Sequence, residues 1–196
     1  MGKPTRFQRK QATRDYRKVF YLFTEGYKTE PLYFSMLQEI CPEHIHLKIK
    51  PHETKSDVLH VLKRAKHFIR NEKPRVENSE FWLIVDVDDR TPKQFDKLKQ
   101  WSKEKNNYCL AISNPCFEYW LLLHFEKGDA VYNLKDRLKK HMPNYEKHTI
   151  DEKILLPKII TAIKNAKEKH RQSSNDCFAG NCSTVYILVE KIIKQK

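Results

Sequence analysis

The segment FWLIVDV, residues 81–87, restricts the fold of this chain more than any other feature of the sequence. Its apolar run is nearly continuous, so both alternating faces of a strand at this position would be apolar. Such a strand has to be buried on both sides, as in parallel sheets that carry helices on each face. The segment therefore predicts an α/β protein with this strand near the centre of its sheet.

Strand and helix patterns alternate along the chain around this segment. Runs rich in β-branched and aromatic residues predict four strands, at 19–26, 46–52, 81–87 and 108–115. Apolar residues at helical spacing predict helices between the strands, a helix at 116–125 and a long helix from about 150 to 170. The expected fold is α/β: a parallel sheet of about four strands flanked by helices, with a helical C-terminal extension.

The length of 196 residues fits one domain with an extension. The pattern divides the chain into a basic N-terminal arm at 1–18, an α/β domain at 19–127 and a helical C-terminal extension at 128–196. We expect the extension to pack on the α/β domain.

The net charge of +13 indicates a polyanionic partner, either nucleic acid or an anionic membrane surface. A solvated lysine-rich face is the simpler alternative. An arm of high positive charge would bind nucleic acid by releasing counterions. The basic residues of the arm are Lys3, Arg6, Arg9, Lys10, Arg14, Arg17 and Lys18. Two further basic patches, each of which also fits a solvated helix face, are Lys135, Arg137, Lys139 and Lys140, and Lys164, Lys167, Lys169 and Arg171.

Several protein classes do not fit the sequence. No apolar stretch is long enough to span a bilayer, and the basic N-terminus lacks the apolar region of a secretory signal. The cysteines form no C-x-x-C pair, and their number, five, is odd. We therefore expect reduced thiols, no zinc site and a cytoplasmic protein that does not enter membranes.

Carboxylates follow the ends of two predicted strands. Glu25 follows the first, and Asp86 and Asp88 follow the third, where alternation points both aspartates to the same side. Glu118 lies one turn into the helix after the fourth strand. Because the carboxyl ends of parallel strands share one edge, these groups are expected to converge there. Hard oxygen ligands in this arrangement predict a Mg²⁺ site, with Mn²⁺ as the alternative ion.

Each residue also has a simpler interpretation. Glu25 could be a metal ligand, a general base or the ion-pair partner of Lys28, and Asp89 fits a helix cap. Glu118 could bind a second metal ion or contact the start of its helix through the helix dipole. His124, on an apolar helix, fits a hydrogen-bonded core histidine better than a catalyst.

Three blocks of sequence, in this order, resemble motifs of the RloB-like family, which includes AbiLii-type phage-defence proteins. They are FTEGYKTEPLYF at 23–34, LIVDVDD at 83–89 and SNPCFEYWLLLHF at 113–125. The family is similar to the Toprim fold of topoisomerases, primases and certain nucleases. The resemblance implies that Glu25, Asp86 and Asp88 bind Mg²⁺ or Mn²⁺ and serve strand cleavage or phosphoryl transfer.

The resemblance extends to polar residues outside the acidic cluster. The family's N-P-x-F-E-x-W block corresponds to Asn114, Pro115, Phe117, Glu118 and Trp120. Its distal Asn-Ser-Thr element is similar to Asn181, Ser183 and Thr184, with Cys182 where the family has proline.

The function expected from the resemblance is a Mg²⁺-dependent nuclease that acts on DNA or RNA in antiphage defence or abortive infection. The expected catalytic residues are Glu25, Asp86, Asp88 and Glu118. The expected substrate contacts are Lys28, Asn114, Asn181, Ser183, Thr184, Arg14, Arg17 and Lys18. A partner ATPase is implied too, since the chain has no P-loop. The alternatives are a non-catalytic module that binds nucleic acid or a metal–nucleotide and regulates that ATPase, and a nucleotidyl or phosphoryl transferase. Whether the chain forms a homodimer is left open.

Overall fold

The structure is a computed structural model. It describes residues 17–51, 57–74, 77–87, 92–145, 149–174, 176–178 and 180–194. Two of the predicted site residues, Arg14 and Asp88, lie outside the described residues, as do Asp89 and nearly all of the basic arm.

The described chain forms five strands: β1 (Lys18–Thr24), β2 (Ile45–Lys50), β3 (Ser79–Asp86), β4 (Tyr108–Asn114) and β5 (Cys182–Ser183). The helices before β4 are α1 (Thr29–Gln38), α2 (Val58–Glu72) and α3 (Pro92–Glu104). Those after β4 are α4 (Phe117–Leu122), α5 (Leu134–His141), α6 (Glu152–Leu155), a 3₁₀ turn (Leu156–Lys158), α7 (Ile159–Gln172) and α8 (Val185–Lys194).

The strands form one sheet in the order β2-β1-β3-β4-β5. Strands β1 to β4 are parallel, whereas β5 is antiparallel to β4. The predicted α/β class is confirmed, and the architecture is consistent with a Toprim-like fold. The fifth strand was not predicted, because a two-residue strand is too short to show alternation.

Strand β3 lies in the middle of the sheet and separates two hydrophobic cores. Trp82 and Ile84 pack in the core formed with α1, α4, α7 and α8. Phe81, Leu83 and Val85 pack in the core formed with α2 and α3. All five side chains are buried, so the continuous apolar run is explained by burial on both faces of the sheet.

Two predicted helices are shorter in the structure. Asn114 stays in β4 and Cys116 is the N-cap, so α4 covers only Phe117–Leu122. The helix predicted at 150–170 is interrupted by the turn that contains Pro157, a residue without a backbone N–H. None of the described helices is both long and apolar enough to cross a membrane.

The prediction that all five cysteines are reduced is wrong for one pair. Cys177 and Cys182 form a disulfide, which the odd total and the lack of a C-x-x-C motif did not suggest. Cys41, Cys109 and Cys116 are free and half-buried. Burial raises the pKa of Cys41 and Cys109 to about 11, so these two thiols are protonated at neutral pH.

Candidate functional site

The order of the strands creates a crevice between β1 and β3. The chain moves outward from β1 to β2 and then returns to β3 on the other side of β1. Ligands of open α/β sheets bind outside the carboxyl ends of the strands at such a reversal. Glu25 directly follows β1, and Asp86 is the last residue of β3. The topology therefore places these two predicted residues on either side of the crevice.

Two hydrogen bonds, each donated by a backbone N–H, hold the ends of β1 and β3 together. The Glu25 N–H donates to the carbonyl oxygen of Ile84 at 3.0 Å, which extends the pairing of β1 with β3. The Asp86 N–H donates to Oε2 of Glu25 at 3.2 Å. The Glu25 side chain is thus oriented across the ends of both strands.

A cavity of about 790 Å³ opens at this edge of the sheet. Glu25, Asp86 and Glu118 line it, so the structure brings together three of the predicted catalytic residues. Among the described residues, its ionisable lining consists of five carboxylates (Glu25, Glu30, Asp86, Glu118 and Asp136), two lysines (Lys28 and Lys135), the Tyr27 hydroxyl and the Cys116 thiol. Acidic side chains outnumber lysines in this described part of the lining, although the protein has a net charge of +13.

The side chains around Cys116 show how close the carboxylates are to one another. Burial raises the pKa of the Cys116 thiol, and the charges of Glu118 and Asp86 raise it further. The first turn of α4 supplies Glu118, and the end of β3 supplies Asp86. Cys116 therefore lies in the electrostatic field of carboxylates from two different elements and stays protonated.

Sequence reasoning missed Tyr145, whose hydroxyl is buried and has no hydrogen-bond partner in the described part of the chain. Burial raises the pKa of Tyr145, and the charges of Glu118 and Glu30 act in the same direction. The hydroxyl is therefore a protonated donor beside the acidic cluster. A single tyrosine in the polar segment after α5 gives no sequence signal for this position.

Glu30 was also missed, although it lies in the motif that contains Glu25. Its Oε1 accepts a hydrogen bond of 2.9 Å from the Gly26 N–H. The side chain is buried and lines the cavity. The available signal was the Thr-Glu pair that occurs twice in TEGYKTE, first with Glu25 and then with Glu30. The second pair begins α1, and the first turn of a helix that starts so close to Glu25 lies at the same edge of the sheet.

The donor set of this cavity fits Mg²⁺. Its candidate ligands are carboxylate oxygens, the hard ligands that Mg²⁺ prefers. Glu25, Glu30 and Glu118 are only 3%, 5% and 8% exposed, and a bound cation would stabilise the ionised forms of carboxylates buried to this extent. Glu25 and Asp86, with Glu118, would hold the ion.

Replacing Gly26 by alanine is expected to displace the Glu30 carboxylate. A Cβ at residue 26 would overlap the carboxylate of Glu30, so the carboxylate would have to move and lose its bond from the Gly26 N–H. A hydrogen bond to a charged group contributes about 1.5–3 kcal/mol. We expect Gly26→Ala to lower the free energy of unfolding by about that amount, measured by urea denaturation.

Gly180→Ala is the matched control for this substitution. A Cβ there would meet Cβ of Ser173 at 3.4 Å, which is ordinary contact. We expect a change within about 0.5 kcal/mol. Equal losses of stability in the two variants would contradict the role given to Gly26.

The predicted substrate contacts near β4 make structural hydrogen bonds. The Asn114 Nδ2 donates to the carbonyl oxygen of Cys177 at 2.7 Å. Thr184 Oγ1 accepts from the Ile112 N–H at 2.8 Å, and the Ser183 and Ser113 hydroxyls are 3.2 Å apart. Asn181 is exposed. Asn114, Ser183 and Thr184 thus join β5 and its preceding loop to β4, whereas the Asn181 carbonyl oxygen accepts from the Tyr119 hydroxyl of α4 at 3.4 Å. Contact of these four residues with a substrate stays a prediction.

Lys28 and Lys18 lie at opposite ends of β1. Lys28 lines the cavity and is exposed. Lys18 begins β1 and its Nζ is 2.8 Å from Oε1 of Glu80. Burial alone would raise the pKa of Glu80, but hydrogen bonds and charge from Lys18 and Lys191 lower it overall. Arg17 adjoins Lys18 and is exposed, so these two predicted contacts lie at the amino end of the sheet, away from the acidic cavity.

Several members of the two C-terminal basic patches are ion-paired. Arg137 pairs with Glu126, Lys167 with Glu190 at 2.6 Å and Lys169 with Asp129 at 2.6 Å. These ion pairs neutralise part of the charge of both patches within the protein, and whether the patches bind nucleic acid or are solvated helix faces stays open.

His124 is the buried core histidine that its apolar helix predicted. Its Nδ1 lies 3.2 Å from the Trp120 carbonyl oxygen and 3.1 Å from that of Leu121. Its Nε2 lies 3.2 Å from the Tyr33 hydroxyl. With the proton on Nδ1, the ring donates to the backbone and accepts from Tyr33. Burial lowers the pKa of His124 to about 4, so the ring is neutral at pH 7.

Comparison with known proteins assigns the chain to a family. Searches of curated proteins and of solved structures found no match. The family model described as "RloB-like protein" matches residues 20–192, which include β1 to β5 from Phe20 onward and all the described residues of the acidic cavity. The match covers most of the sequence, and the chain belongs to the RloB-like family.

Proposed function

We propose that the protein is a Mg²⁺-dependent nuclease that hydrolyses phosphodiester bonds of DNA or RNA. The observation that carries the proposal is the meeting of Glu25, Asp86 and Glu118, from three separate elements, in an acidic cavity at the reversal of strand order. Binding sites for a metal and its phosphate ligand occur at this position in α/β sheets. The family resemblance, with its Toprim-type acidic motifs, supports the same chemistry.

The chain's own residues would have distinct roles in this reaction. Bound Mg²⁺ would supply charge neutralisation at the transferring phosphoryl group and activation of a water. Glu25 and Asp86 would hold the ion at the crevice, and Glu118 would face it from α4. Lys28, at the cavity lining, would contact a phosphate oxygen.

A basic groove on α2 supports nucleic acid as the substrate class. The groove has a volume of about 560 Å³, and the described residues that line it are His60, Lys63, Arg64, Lys66, His67 and Arg70. All six belong to α2, and the four lysines and arginines among them are residue types that contact phosphates. This groove, which the pattern of α2 did not reveal, is a surface along which a phosphate backbone would lie.

Arg64 connects the basic groove to the acidic cavity. Its Nη2 donates to the carbonyl oxygens of Thr24 at 2.8 Å and Lys50 at 3.2 Å. Thr24 directly precedes Glu25 at the end of β1. The guanidinium therefore lies next to the carboxyl ends of β1 and β2, and a backbone bound along α2 would lead toward the site.

Charge reversal in the groove is expected to weaken nucleic-acid binding. Lys63 and Arg70 are exposed, so Lys63→Glu with Arg70→Glu removes two phosphate contacts without disturbing the core. The logarithm of the association constant decreases linearly with the logarithm of the salt concentration. We expect the two substitutions to make this slope shallower by about 2. Fluorescence anisotropy with a labelled duplex at several salt concentrations measures this slope.

Lys153→Glu with Lys164→Glu is the control with the same change in charge. Both lysines are exposed on α6 and α7, outside the groove. Because net charge alone also affects binding, we expect a small loss of affinity here and a slope near that of the parent. If the salt dependence of the control variant became as shallow as that of the groove variant, a role for α2 in binding would be contradicted.

Antiphage defence and a partner ATPase are proposed on the family resemblance. A toxic nuclease of a defence system has to be restrained or loaded by another component, and an ATPase suits that role. Co-purification of the chain with the ATPase, followed by cleavage assays with and without ATP, tests the partnership.

The nuclease proposal is tested with a mixed panel of tRNA, single-stranded DNA and duplex DNA. Each substrate is incubated with the full chain and Mg²⁺, Mn²⁺ or EDTA. Products that require the metal ion would support the proposal and identify the substrate. No product from any substrate, with binding retained and with the partner present, would favour the non-catalytic binding module.

A further inference from the structure

A second group of metal-binding side chains lies apart from the acidic cavity. It consists of His170 in the last turn of α7, Cys177 in the following loop and Cys182 in β5. One ligand atom from each residue lies within 4.8 Å of the others. Both cysteines are buried and His170 is half-buried, so the polypeptide shields the group from bulk water.

The chemistry of this group differs from that of the carboxylate cavity. Two sulfurs and an imidazole nitrogen form a soft ligand set, which selects zinc over magnesium. Three protein ligands leave the fourth tetrahedral position for water. We propose that the chain binds one Zn²⁺ through His170, Cys177 and Cys182 when the two cysteines are reduced.

The disulfide and the zinc site are alternative states of the same two cysteines. Reduction by a thiol or a phosphine adds two electrons and two protons to the disulfide, and zinc binding then releases a proton from each thiol. The sulfurs of a tetrahedral zinc site lie about 3.8 Å apart, given Zn–S bonds of about 2.3 Å. With the Cα atoms 5.3 Å apart, rotation of the side chains provides this separation.

Tyr186 is positioned to orient the imidazole ligand. The Tyr186 hydroxyl lies 3.0 Å from Nδ1 of His170. A ring protonated at Nδ1 donates to this hydroxyl and keeps the lone pair of Nε2 for a metal. Histidines that bind metals commonly donate their second ring nitrogen to such a partner, which fixes the tautomer.

The loop that carries the cysteines is anchored to the strand that leads into the acidic cavity. The Cys177 carbonyl oxygen accepts from Asn114 at the end of β4, and Cys182 pairs with the same residue in the sheet. A metal ion here would therefore brace the end of β4 and the start of α4. This bracing of β4 is independent of the proposed nuclease activity.

The test is a cobalt titration of the reduced full chain without oxygen, with a phosphine reductant. Thiolate ligands give Co²⁺ a charge-transfer band in the near ultraviolet, which carboxylates do not. We expect this band to saturate at one Co²⁺ per chain and to disappear when Zn²⁺ is added. We expect Cys177→Ser and Cys182→Ser to lose the band, and Tyr186→Phe to keep it while weakening zinc affinity about 10- to 100-fold.

Two control variants separate this site from other metal-binding groups. Cys41→Ser removes a free cysteine elsewhere in the chain, and Asp86→Ala removes a carboxylate of the acidic cavity. We expect both to keep the full band. If the cysteine variants do not fold, His170→Ala replaces them as the variant that removes a proposed ligand. Its fold is checked by circular dichroism, and we expect the band to be weakened.

Three results would overturn the proposal. They are the absence of the band in the reduced parent, its persistence at full strength in folded His170→Ala, and its loss in Cys41→Ser.

Discussion

Asp86→Ala is expected to abolish metal-dependent cleavage while leaving nucleic-acid binding intact. Asp86 ends β3 and lines the acidic cavity, and its N–H donates to the carboxylate of Glu25. The substitution keeps that backbone bond but removes one carboxylate from the proposed metal site. Since a bound metal ion contributes several kcal/mol to the transition state, turnover should fall by about 10²-fold or more.

Measurement under single-turnover conditions, with Mg²⁺ varied, separates a loss of metal affinity from a loss of chemistry. The matched control is Asp96→Ala on α3, which removes an exposed aspartate of the same charge. Asp96→Ala should cleave like the parent. If Asp86→Ala also kept parental turnover, or if its loss were matched by a loss of nucleic-acid binding, the catalytic role of Asp86 would be rejected.

Acid is expected to destabilise the protein through His124. The unfolded chain binds a proton at His124 near pH 6.5, whereas the folded protein does so only near pH 4, because burial disfavours the charged ring. Between these values the unfolded state binds more protons, so stability rises with pH and is lost as the pH falls from 6.5 to 4. The full difference corresponds to about 3 kcal/mol.

Urea denaturation at several pH values measures this effect. His124→Gln removes the titrating ring and should cost about 1–3 kcal/mol at pH 7, since the Tyr33 hydroxyl and two backbone carbonyls lose their partner. The variant should nevertheless lose less stability than the parent between pH 6.5 and 4. His46→Gln, at an exposed position of β2, is the control and should keep the parental acid dependence. Parallel stability curves for the parent and His124→Gln would contradict the assignment.

The central strand and the first acidic residues were predictable from local pattern. A run that is apolar on both faces can only be buried on both faces, and β3 packs in two cores as expected. Once the strands are parallel, residues that follow them share one edge of the sheet. This is why Glu25, Asp86 and Glu118 could be grouped before their contacts were known.

Other parts of the site depend on residues that are distant in sequence. Tyr145 reaches the acidic cluster from the segment after α5, and nothing in the neighbouring sequence marks it. The proposed link between the groove on α2 and the acidic cavity depends on Arg64, which contacts the ends of β1 and β2. The pairing of Cys177 with Cys182 required the loop after α7 to fold back on β4.

The sequence by itself determined the α/β class, the burial of β3 and the edge of the sheet at which the acids gather. These properties follow from side-chain alternation and from the cost of burying or exposing apolar and charged groups, which act along short segments. The tertiary structure alone decided the strand order, the addition of β5 and the neighbours of Glu30, Tyr145 and His170. Those contacts join segments that are distant in the chain, and no local sequence pattern predicts which distant segments meet. They are therefore determined by the packing of the whole fold.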